Sequence, residues 1–368
     1  MSSTSAKRNL LGLSLRGLEA FLAELGEKPY RAKQLMQWLH QRGVTDFDAM
    51  TDLSKALRAR LAETAEVVVP EVGEEQRSAD GTIKWLYRSG AGQAVESVFI
   101  PEPARGTLCI SSQVGCALDC AFCATGAQGF NRNLTTAEIV GQVRHANTVL
   151  PPRANGEPAV TNVVFMGMGE PLANYRNLLP AIELLISDYG FALSRRRVTV
   201  STSGIVPHIE RLGDECNVSL AVSLHAPNDA LRDRLVPINR IHPIAELLDA
   251  CWRYADKHSK RFITFEYVML RDVNDRPEHA DELADLLLGH PAKLNLIPFN
   301  PFPGTSFERS GRATIESFQA RLRDRGLVVT TRKTRGDDID AACGQLAGRV
   351  HDRTRVRLGD RKQRVVNA

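Results

Sequence analysis

The chain has 368 residues, of which 43% are hydrophobic and 24% are charged, and its formal net charge at pH 7 is +4. These values are ordinary for a soluble globular protein that buries a sizeable core. No stretch approaches the roughly 20 apolar residues that a membrane span requires, and the N-terminus lacks the apolar run and cleavage pattern of a signal peptide. We therefore expect a cytoplasmic protein that does not bind membranes. The seven cysteines are an odd number and do not suggest a disulfide framework.

The first part of the chain, residues 1–65, is predicted to form a small helical domain. Apolar residues recur at helical spacing from Leu15 to Leu25, after Pro29, and again from Leu53 to Leu61. No side chain in this domain suggests chemistry. It is interpreted either as a substrate-docking module or as a cap on the main domain.

Residues 66–110 are predicted to form a small antiparallel sheet. The predicted strands are 67–69, 83–87, 94–100 and 108–110, which are β-branched or alternating and are separated by glycine and proline. Glu96 lies inside the third of these strands. A charged residue within a strand most often faces water, but Glu96 is a candidate functional residue if that face of the sheet meets an active site.

Three cysteines then occur within eight residues. Cys116, Cys120 and Cys123 follow the spacing C-x₃-C-x₂-C, and no fourth cysteine or histidine follows at a ligand's distance. Iron–sulfur clusters and structural zinc sites usually have four protein ligands. The pattern therefore favours a metal centre with one position left open for chemistry. A zinc loop that borrows a distant ligand and a group of buried thiols are the alternatives.

Strand-like and helix-like segments alternate from residue 135 onward. Thr135 and Glu138 have the spacing of a capping box, and the helix that they begin ends before Pro151. The predicted strands are 161–166, 197–201, 218–223, 262–269, 293–298 and 326–333. The predicted helices between them are 175–187, 205–212, 230–235, 244–257 and 278–288. Repeated βα units imply a parallel sheet, so we predict an α/β fold with a closed or partly closed barrel over residues 111–330.

Polar turns that contain glycine or proline follow the ends of several predicted strands. They are Gly167–Pro171, Ser201–Gly204, Ser223–His225 and Asn300–Gly304. Any one of them is typical of an ordinary βα turn, where Gly, Ser and Pro suit the backbone. Because catalytic residues of such barrels lie beyond the carboxyl ends of the strands, four such turns together with the cysteine loop predict a site.

The C-terminal segment, residues 331–368, contains a lone cysteine and a basic tail. Cys343 lies beside small residues in a predicted loop, where a cysteine is most often a small buried hydrophobic residue. Basic residues concentrate at Arg195–Arg197, at residues 321–335 with five Arg and one Lys, and at residues 349–364 with seven Arg and Lys. This concentration suggests a polyanionic partner because guanidinium groups bind phosphates in a planar fork. Ordinary surface ion pairs explain the charges equally well.

Several long strings resemble the radical S-adenosylmethionine (AdoMet) superfamily and, within it, the RlmN/Cfr group of RNA methyltransferases. The strings are GCALDCAFCATGAQGFNRNL, MGMGEPL, RRVTVSTSG, SLHAPND, EYVML, NLIPFNPFPG and RKTRGDDIDAACGQL. The resemblance covers nearly the whole chain, and no functional position departs from the group's pattern. It implies a partial (β/α)₆ TIM-like barrel of the radical AdoMet type, with the helical domain as an RNA-docking accessory and the antiparallel sheet as an extension of the barrel.

The resemblance also implies roles for individual residues. Cys116, Cys120 and Cys123 would hold a [4Fe–4S] cluster, whose fourth iron would bind AdoMet. The residues implied to surround AdoMet are Gly169, Glu170, Ser201, Ser223, Leu224, His225 and Asn300. Cys343 would accept a methyl group, Cys109 would be its redox partner, and Glu96 would be the base that acts on the RNA adduct.

The implied reaction is methylation of adenine C2 in 23S rRNA and tRNA. One AdoMet would methylate Cys343, and a second would yield the radical that lets the methyl carbon add to C2. Glu96 would then remove the C2 proton, and Cys109 would attack Cys343 and leave a disulfide. The implied partners are the two RNAs and a flavodoxin-like electron donor, and the protein is expected to be a monomer. Reversing the charges of Arg195–Arg197 should weaken RNA binding.

Three alternatives stay open at this point. Cfr-type methylation at adenine C8 would use the same cysteines and cofactors, although the string from Gln128 to Leu134 favours C2. A radical AdoMet enzyme acting on a small molecule or a protein would fail to bind RNA. A non-catalytic RNA-binding module stabilised by a metal would have no need of Gly169, Glu170 or Cys343.

Overall fold

The computed structural model describes residues 7–90, 92–259 and 261–348. The predicted basic tail at residues 349–364 lies outside these ranges. Within them, the chain forms a helical N-terminal unit, an antiparallel extension and a large α/β domain built on one continuous sheet. No described helix is long and apolar enough to cross a membrane.

The N-terminal unit contains three helices and two very short strands. In chain order its elements are β1 (Arg8–Asn9), α1 (Leu15–Glu24), α2 (Tyr30–His40), α3 (Lys55–Thr64) and β2 (Ala65–Glu66). Ser14 and Ser54 cap α1 and α3, because each side-chain oxygen accepts a hydrogen bond from a first-turn N–H. The apolar faces of the helices are buried in the main core, with Leu18, Leu35 and Leu61 fully enclosed.

Four strands form the extension and its junction with the α/β domain. They are β3 (Glu71–Arg77), β4 (Ile83–Arg88), β5 (Ala94–Glu102) and β6 (Arg105–Cys109). Each pairs antiparallel with the next, and the β3–β4 register shifts between Val72 and Glu74. The predicted strand at residues 67–69 was wrong. Those residues are irregular, and the strand begins later, at Glu71, where the side chains are charged.

The cysteine loop is closed at its base by a two-stranded pair that the sequence pattern did not predict. Strand β7 (Gln113–Gly115) pairs antiparallel with β8 (Phe130–Asn133), and the short helix α4 (Ala124–Ala127) lies within the loop. The N–H of Cys116 donates to the carbonyl of Gly129 at 2.9 Å, which continues the closure beyond β7.

Alternating helices and strands complete the α/β domain. The helices are α5 (Thr136–Val149), α6 (Tyr175–Ile186), α7 (Val206–Glu215), α8 (Asp229–Leu235), α9 (Ile244–Lys257), α10 (Pro277–Leu287) and α11 (Arg312–Asp324). The strands are β9 (Asn162–Phe165), β10 (Val198–Thr202), β11 (Ser219–Ser223), β12 (Ile263–Met269), β13 (Ala292–Pro298) and β14 (Val328–Thr331). The predicted capping box at Thr135 and Glu138 is present at the start of α5. Helix α11 was not predicted.

The sheet orders its strands β14-β13-β12-β11-β10-β9-β6-β5-β4-β3. Strands β6 and β9 to β14 are parallel to one another, so the described residues confirm the predicted parallel core of an α/β fold with an antiparallel extension. The carboxyl ends of parallel strands meet at one edge of a sheet. Cys109, Thr202, Ser223, Pro298 and Thr331 end strands at that edge, and the cysteine loop begins there.

Candidate active site

The cysteine loop rests on a separate apolar cluster at the carboxyl edge of the sheet. Leu118 from the loop packs in this cluster with residues that include Leu235 and Phe299, and Cys116 and Cys120 pack against it. The loop is also fixed by its backbone, because the N–H of Ala121 donates to the carbonyl of Leu235 at 3.1 Å. The three cysteines are thereby held on a defined surface.

The three thiols of the loop suit a four-iron cluster. Burial raises the pKa of each thiol, and neighbouring cysteines raise it further, so the thiolates need a positive partner. Among the described residues, no three His, Cys, Asp or Glu side chains are grouped so that they could hold one metal ion. A four-iron cluster has a different requirement, because each thiolate binds a different iron. Three cysteines then leave one iron free for a ligand that is not protein.

A cavity of about 770 Å³ lies beside the loop and collects most of the predicted site residues. The predicted residues that line it are Cys123, Gly169, Glu170, Ser201, Ser223, His225, Asn300 and Cys343. Cys116, Cys120 and Leu224 do not line it, and Leu224 is fully buried in the main core.

Gly169 lies directly before Glu170, at a turn position that only glycine fits. Gly169 has φ +97°, and a Cβ there would lie 2.5 Å from the Cβ of Gln113. The side chain of Gln113 accepts a hydrogen bond from the N–H of Glu170 at 2.8 Å. The Glu170 carboxylate itself accepts from the N–H groups of Leu172 and Ser203 at 3.1 and 2.8 Å. Burial nevertheless raises the pKa of Glu170 to about 7.

His225 is a neutral hydrogen-bond donor at the wall of the same cavity. Burial, and then the charge of Arg232, lower its pKa to about 3. Its Nδ1 accepts from the N–H of Val268 at 3.0 Å, so the proton of the neutral ring is on Nε2. The residue has φ +59°, a conformation that is strained for a side chain other than glycine and that the surrounding contacts must hold.

Arg232 ties several strand ends together and was not recognised from the sequence. This fully buried guanidinium donates to the carbonyls of Ser203, Ser223 and Leu224 at 2.7, 3.1 and 3.1 Å. Leu224 thus contributes its backbone to the site, whereas its side chain serves the core. An arginine in a short polar helix gives no sequence signal for this role.

Cys343 lies on a turn that is anchored on both sides of the cavity. The carbonyl of Gly344 accepts from Ala124 N–H at 2.8 Å, and the carbonyl of Leu346 accepts from the Thr125 hydroxyl at 2.5 Å, which attaches the turn to the cysteine loop. On the other side, Asn300 donates to the carbonyl of Cys343 at 3.2 Å. The predicted methyl-accepting cysteine and the predicted metal loop are therefore neighbours in space.

A second cavity, of about 500 Å³, shares part of its wall with the first. Cys109 and Cys343 both line it, so two cysteines far apart in the sequence share one cavity. The residues common to both cavities are Met166, Ile297, Asn300, Arg332 and Cys343. All seven cysteines of the chain are free thiols in this structure.

Glu96 lies outside both cavities and holds the Cys343 segment to the antiparallel extension. Its carboxylate accepts from the N–H of Ala347 at 3.0 Å and lies 3.6 Å from Nζ of Lys84. Lys84 also donates to the carbonyl of Asp340 at 3.4 Å. The buried ion pair of Lys84 and Glu96 thus contacts the segment on both sides of Cys343.

Arg332 and Glu266 are further site residues that the sequence reasoning missed. Arg332 follows β14 directly, but the predicted strand at residues 326–333 extended past it, so the strand-end pattern did not select it. Glu266 lies inside β12 and lines the larger cavity, and Asn295 donates to its carboxylate at 2.8 Å. The sequence feature that could have identified Glu266 is its charge within a parallel strand that is otherwise mostly apolar.

The predicted basic clusters occupy different ends of the sheet. Arg195–Arg197 precede β10 and therefore lie at the amino edge, opposite to the cavities. Lys333 and Arg335 line the smaller cavity, and Arg309 donates to Asn300 at 2.8 Å. Of the two basic clusters that the structure describes, only the one at residues 321–335 contributes residues to the two cavities.

Comparisons with known proteins agree with this geometry. Residues 8–67 match the family described as the ribosomal RNA large subunit methyltransferase N-terminal domain, and residues 110–287 match the radical SAM superfamily. The crystal structure of a radical SAM methyltransferase from Sphaerobacter thermophilus is 47% identical, with a TM-score of 0.85. The match covers 92% of this chain and 99% of that chain.

Two distant structures are also similar. A domain of pyruvate-formate lyase-activating enzyme from Bacteroides vulgatus ATCC 8482 is 18% identical, with a TM-score of 0.37, over 47% of this chain and 99% of that chain. Methylornithine synthase is 13% identical, with a TM-score of 0.42, over 68% of this chain and 77% of that chain. Neither adds to the assignment.

The cofactors of the radical SAM superfamily are a [4Fe–4S] cluster and AdoMet, and these are the groups that the cysteine loop and the larger cavity fit. The two matched domains and the 47% identical methyltransferase together show the family. This chain belongs to the radical SAM methyltransferases of the RlmN type.

Proposed function

We propose that the protein methylates C2 of an adenine in ribosomal RNA and in transfer RNA, with Cys343 as the carrier of the methyl group. The observation that supports this most directly is the position of Cys343 on the wall between two cavities. One cavity contains the residues suited to AdoMet, and the other contains Cys109. When bound, the cluster and AdoMet supply the methyl group and the radical chemistry that an unreactive ring carbon requires.

The residues of the larger cavity bind and orient AdoMet in this proposal. Glu170 offers a carboxylate to the amino group of the ligand. The Nε2 proton of His225 and the hydroxyls of Ser201 and Ser223 provide hydrogen bonds for its remaining polar atoms. Cys116, Cys120 and Cys123 hold the cluster beside that cavity.

The residues around the Cys343 turn carry out the chemistry on the RNA base in this proposal. Cys343 accepts the methyl group and presents it to the base, and Cys109 attacks Cys343 to release the product. Glu96 removes the C2 proton. Because its carboxylate holds the N–H of Ala347 at 3.0 Å, this step requires the contact to open.

The target adenine must leave its stack to reach Cys343, which favours single-stranded or looped RNA. Lys333 and Arg335 at the smaller cavity are suited to contact the RNA backbone beside the flipped base. The helical N-terminal unit, whose family description names ribosomal RNA, is proposed as a further docking surface.

Mass spectrometry of the Cys343 peptide tests the proposal. Protein purified anaerobically with iron should carry a methyl group on this sulfur, and added RNA should then acquire a methyl group that maps to C2. Cys343→Ala should abolish RNA methylation, and Cys109→Ala should block release of the product. Cys216→Ala is the control, because Cys216 is buried and lines neither cavity, and it should remain active.

Two results would contradict the proposal. An unmodified Cys343 thiol, in protein that holds its cluster and has been given AdoMet, would remove its role as carrier. A methyl group at C8 instead of C2 would keep the carrier and change the product.

A further inference from the structure

Arg332 occupies the place where the two cavities meet. It lines both cavities together with Cys343, whereas Cys109 lines only the smaller one and Glu266 only the larger one. Building on the proposed function, we propose that Arg332 is a positioning residue that holds its positive charge against the sulfur atoms of Cys343 and Cys109. It would supply the cation beside Cys343 when that sulfur attacks the methyl donor, and it would keep Cys109 oriented for the release step.

The backbone around Arg332 fixes the direction of its side chain. The residue directly follows β14, and its N–H donates to the carbonyl of Leu296 at 2.8 Å, which extends the β13–β14 pairing by one residue. Its Nη1 lies 3.9 Å from Sδ of Met166, another residue common to both cavities. The guanidinium is thus held in the wall that the cavities share and cannot swing to solvent without losing this contact.

Three acidic groups interact electrostatically with this one cation. Cys343 acts most strongly to raise the pKa of Arg332, and Glu266 and Cys109 raise it further, while burial opposes them. Arg332 in turn partly offsets the burial that raises the pKa of Cys109 to about 12 and the pKa of the Glu266 carboxyl above its usual range. Among the described residues that line the larger cavity, Arg332 is the only Arg or Lys.

The first half of the reaction explains why a cation is useful at this point. The Cys343 thiol loses its proton to solvent, and the thiolate forms a bond to the methyl carbon of AdoMet. The bond between that carbon and the sulfonium breaks, and its electron pair leaves on neutral S-adenosylhomocysteine. The positive charge of Arg332 stabilises the thiolate before the attack, when the sulfur would otherwise be a poorly solvated anion.

Glu266 sets the strength of this effect. Its carboxylate competes with the two sulfur atoms for the same guanidinium and is kept in place by Asn295 at 2.8 Å. Removing the carboxylate should therefore make Cys343 more reactive, whereas removing Arg332 should make it less reactive. These opposite directions separate an electrostatic role from a role in folding.

The test measures two quantities in anaerobic holoenzyme. The first is the fraction of Cys343 that is methylated after purification, and the second is the rate at which iodoacetamide alkylates the remaining Cys343 thiol, both by peptide mass. Arg332→Met should lower both, with alkylation slower by roughly ten- to a hundred-fold, as expected for loss of a charge-assisted contact. Arg332→Lys should restore part of the rate. Arg312→Met, which removes the same charge from an exposed residue that lines neither cavity, should leave alkylation unchanged.

The outcomes separate this inference from the proposed function. Wild-type alkylation rates in Arg332→Met protein that retains its cluster would overturn the role of Arg332 and leave Cys343 as carrier. Absence of methyl on wild-type Cys343 would overturn the proposed function, while the alkylation rates would still decide the effect of Arg332 on the thiol. If Arg332→Met loses its cluster or its fold, Glu266→Gln decides: faster alkylation of Cys343 supports the inference, and an unchanged or slower rate contradicts it.

Discussion

Glu170 combines two properties that usually exclude each other in one carboxylate. It accepts two backbone hydrogen bonds, which favour its charged form, and yet burial dominates and raises its pKa to about 7. Without a bound ligand, Glu170 is therefore about half protonated at neutral pH. A cationic ligand would shift it to the charged form, so binding of the ligand and loss of a proton are linked.

We expect AdoMet to bind more weakly to the cluster-loaded protein as the pH falls below about 7, by up to about tenfold per pH unit. The sign follows from the charged carboxylate, which is fully present above the free-site pKa and is lost below it. Glu170→Gln should bind weakly at every pH and should lose this dependence. Titration calorimetry between about pH 6 and 8 measures both. Equal pH slopes in the two proteins would rule out Glu170 as the linked group.

Among individual residues, the sequence predicted those that follow the end of a strand or lie in a string that resembles the family. Glu170 and Asn300 line the expected cavity, and Cys109 meets Cys343 in a second one. Contacts between distant segments that the family resemblance does not imply could not be predicted, because no local pattern encodes them. Lys84 and Asp340 are 256 residues apart, and only the folded chain brings them together.

The β7–β8 pair is the element on which the cysteine loop depends. Gly115, at the end of β7, has φ +76°, and a Cβ there would lie 1.9 Å from the carbonyl oxygen of Gly129. The two backbones approach so closely that no side chain fits between them. The pair was not predicted because its strands are only three and four residues long and residues 130–133 are mostly polar.

Gly115→Ala should open the base of the cysteine loop and lower the iron and sulfide content of the purified protein. The positive φ alone costs about 1–3 kcal/mol for a residue other than glycine, and the overlap with Gly129 adds to it. The far-ultraviolet circular dichroism should change little, since the pair is short and contributes only Val114 to the main core. Gly17→Ala is the matched control, because a Cβ there would lie 3.4 Å from the Cβ of Leu13, which is an ordinary van der Waals distance. Full iron content in Gly115→Ala protein would contradict this account.

Elements with strong periodicity were predictable, and polar ones were not. The βα alternation from β9 to β13 follows from apolar strands and amphipathic helices, and the structure confirms it. Helix α11 buries only Ile315, Phe318 and Leu322 and carries charges over the rest of its surface, so its apolar stripe is narrow. Its existence depends on packing against the sheet more than on its own pattern.

At the scale of the whole molecule, the N-terminal unit is fastened to α5 by close backbone contact and by one buried arginine. A Cβ at Gly12 would lie 2.7 Å from the backbone N of Ala137, so the two segments touch directly. Arg144 donates to the carbonyls of Leu39 and Gly43. The unit therefore moves with the α/β domain, and a surface that it offers to RNA would keep a fixed direction relative to the cavities.

Arg144→Met should loosen this unit without unfolding the α/β domain. It leaves the carbonyls of Leu39 and Gly43 without their charged donor, which costs about 1.5–3 kcal/mol. Hydrogen exchange followed by mass spectrometry should show faster exchange in α2 and unchanged protection in β12 and β13. Arg312→Met, whose side chain is 92% exposed, removes an arginine from the surface and should change neither. Exchange in α2 that matches the wild type would show that the apolar contacts alone hold the unit.

The two outer strands of the sheet have features that hinder self-association. Strands at the edge of a sheet present unpaired backbone groups that invite another chain to add a strand. Here the antiparallel edge is β3, with Glu71, Glu74 and Glu75 and a shift in register that interrupts its regular edge. The opposite edge is β14, which has only four residues. Charge and irregularity protect one end and brevity protects the other, so the ten strands that the described residues form expose little regular edge to aggregation.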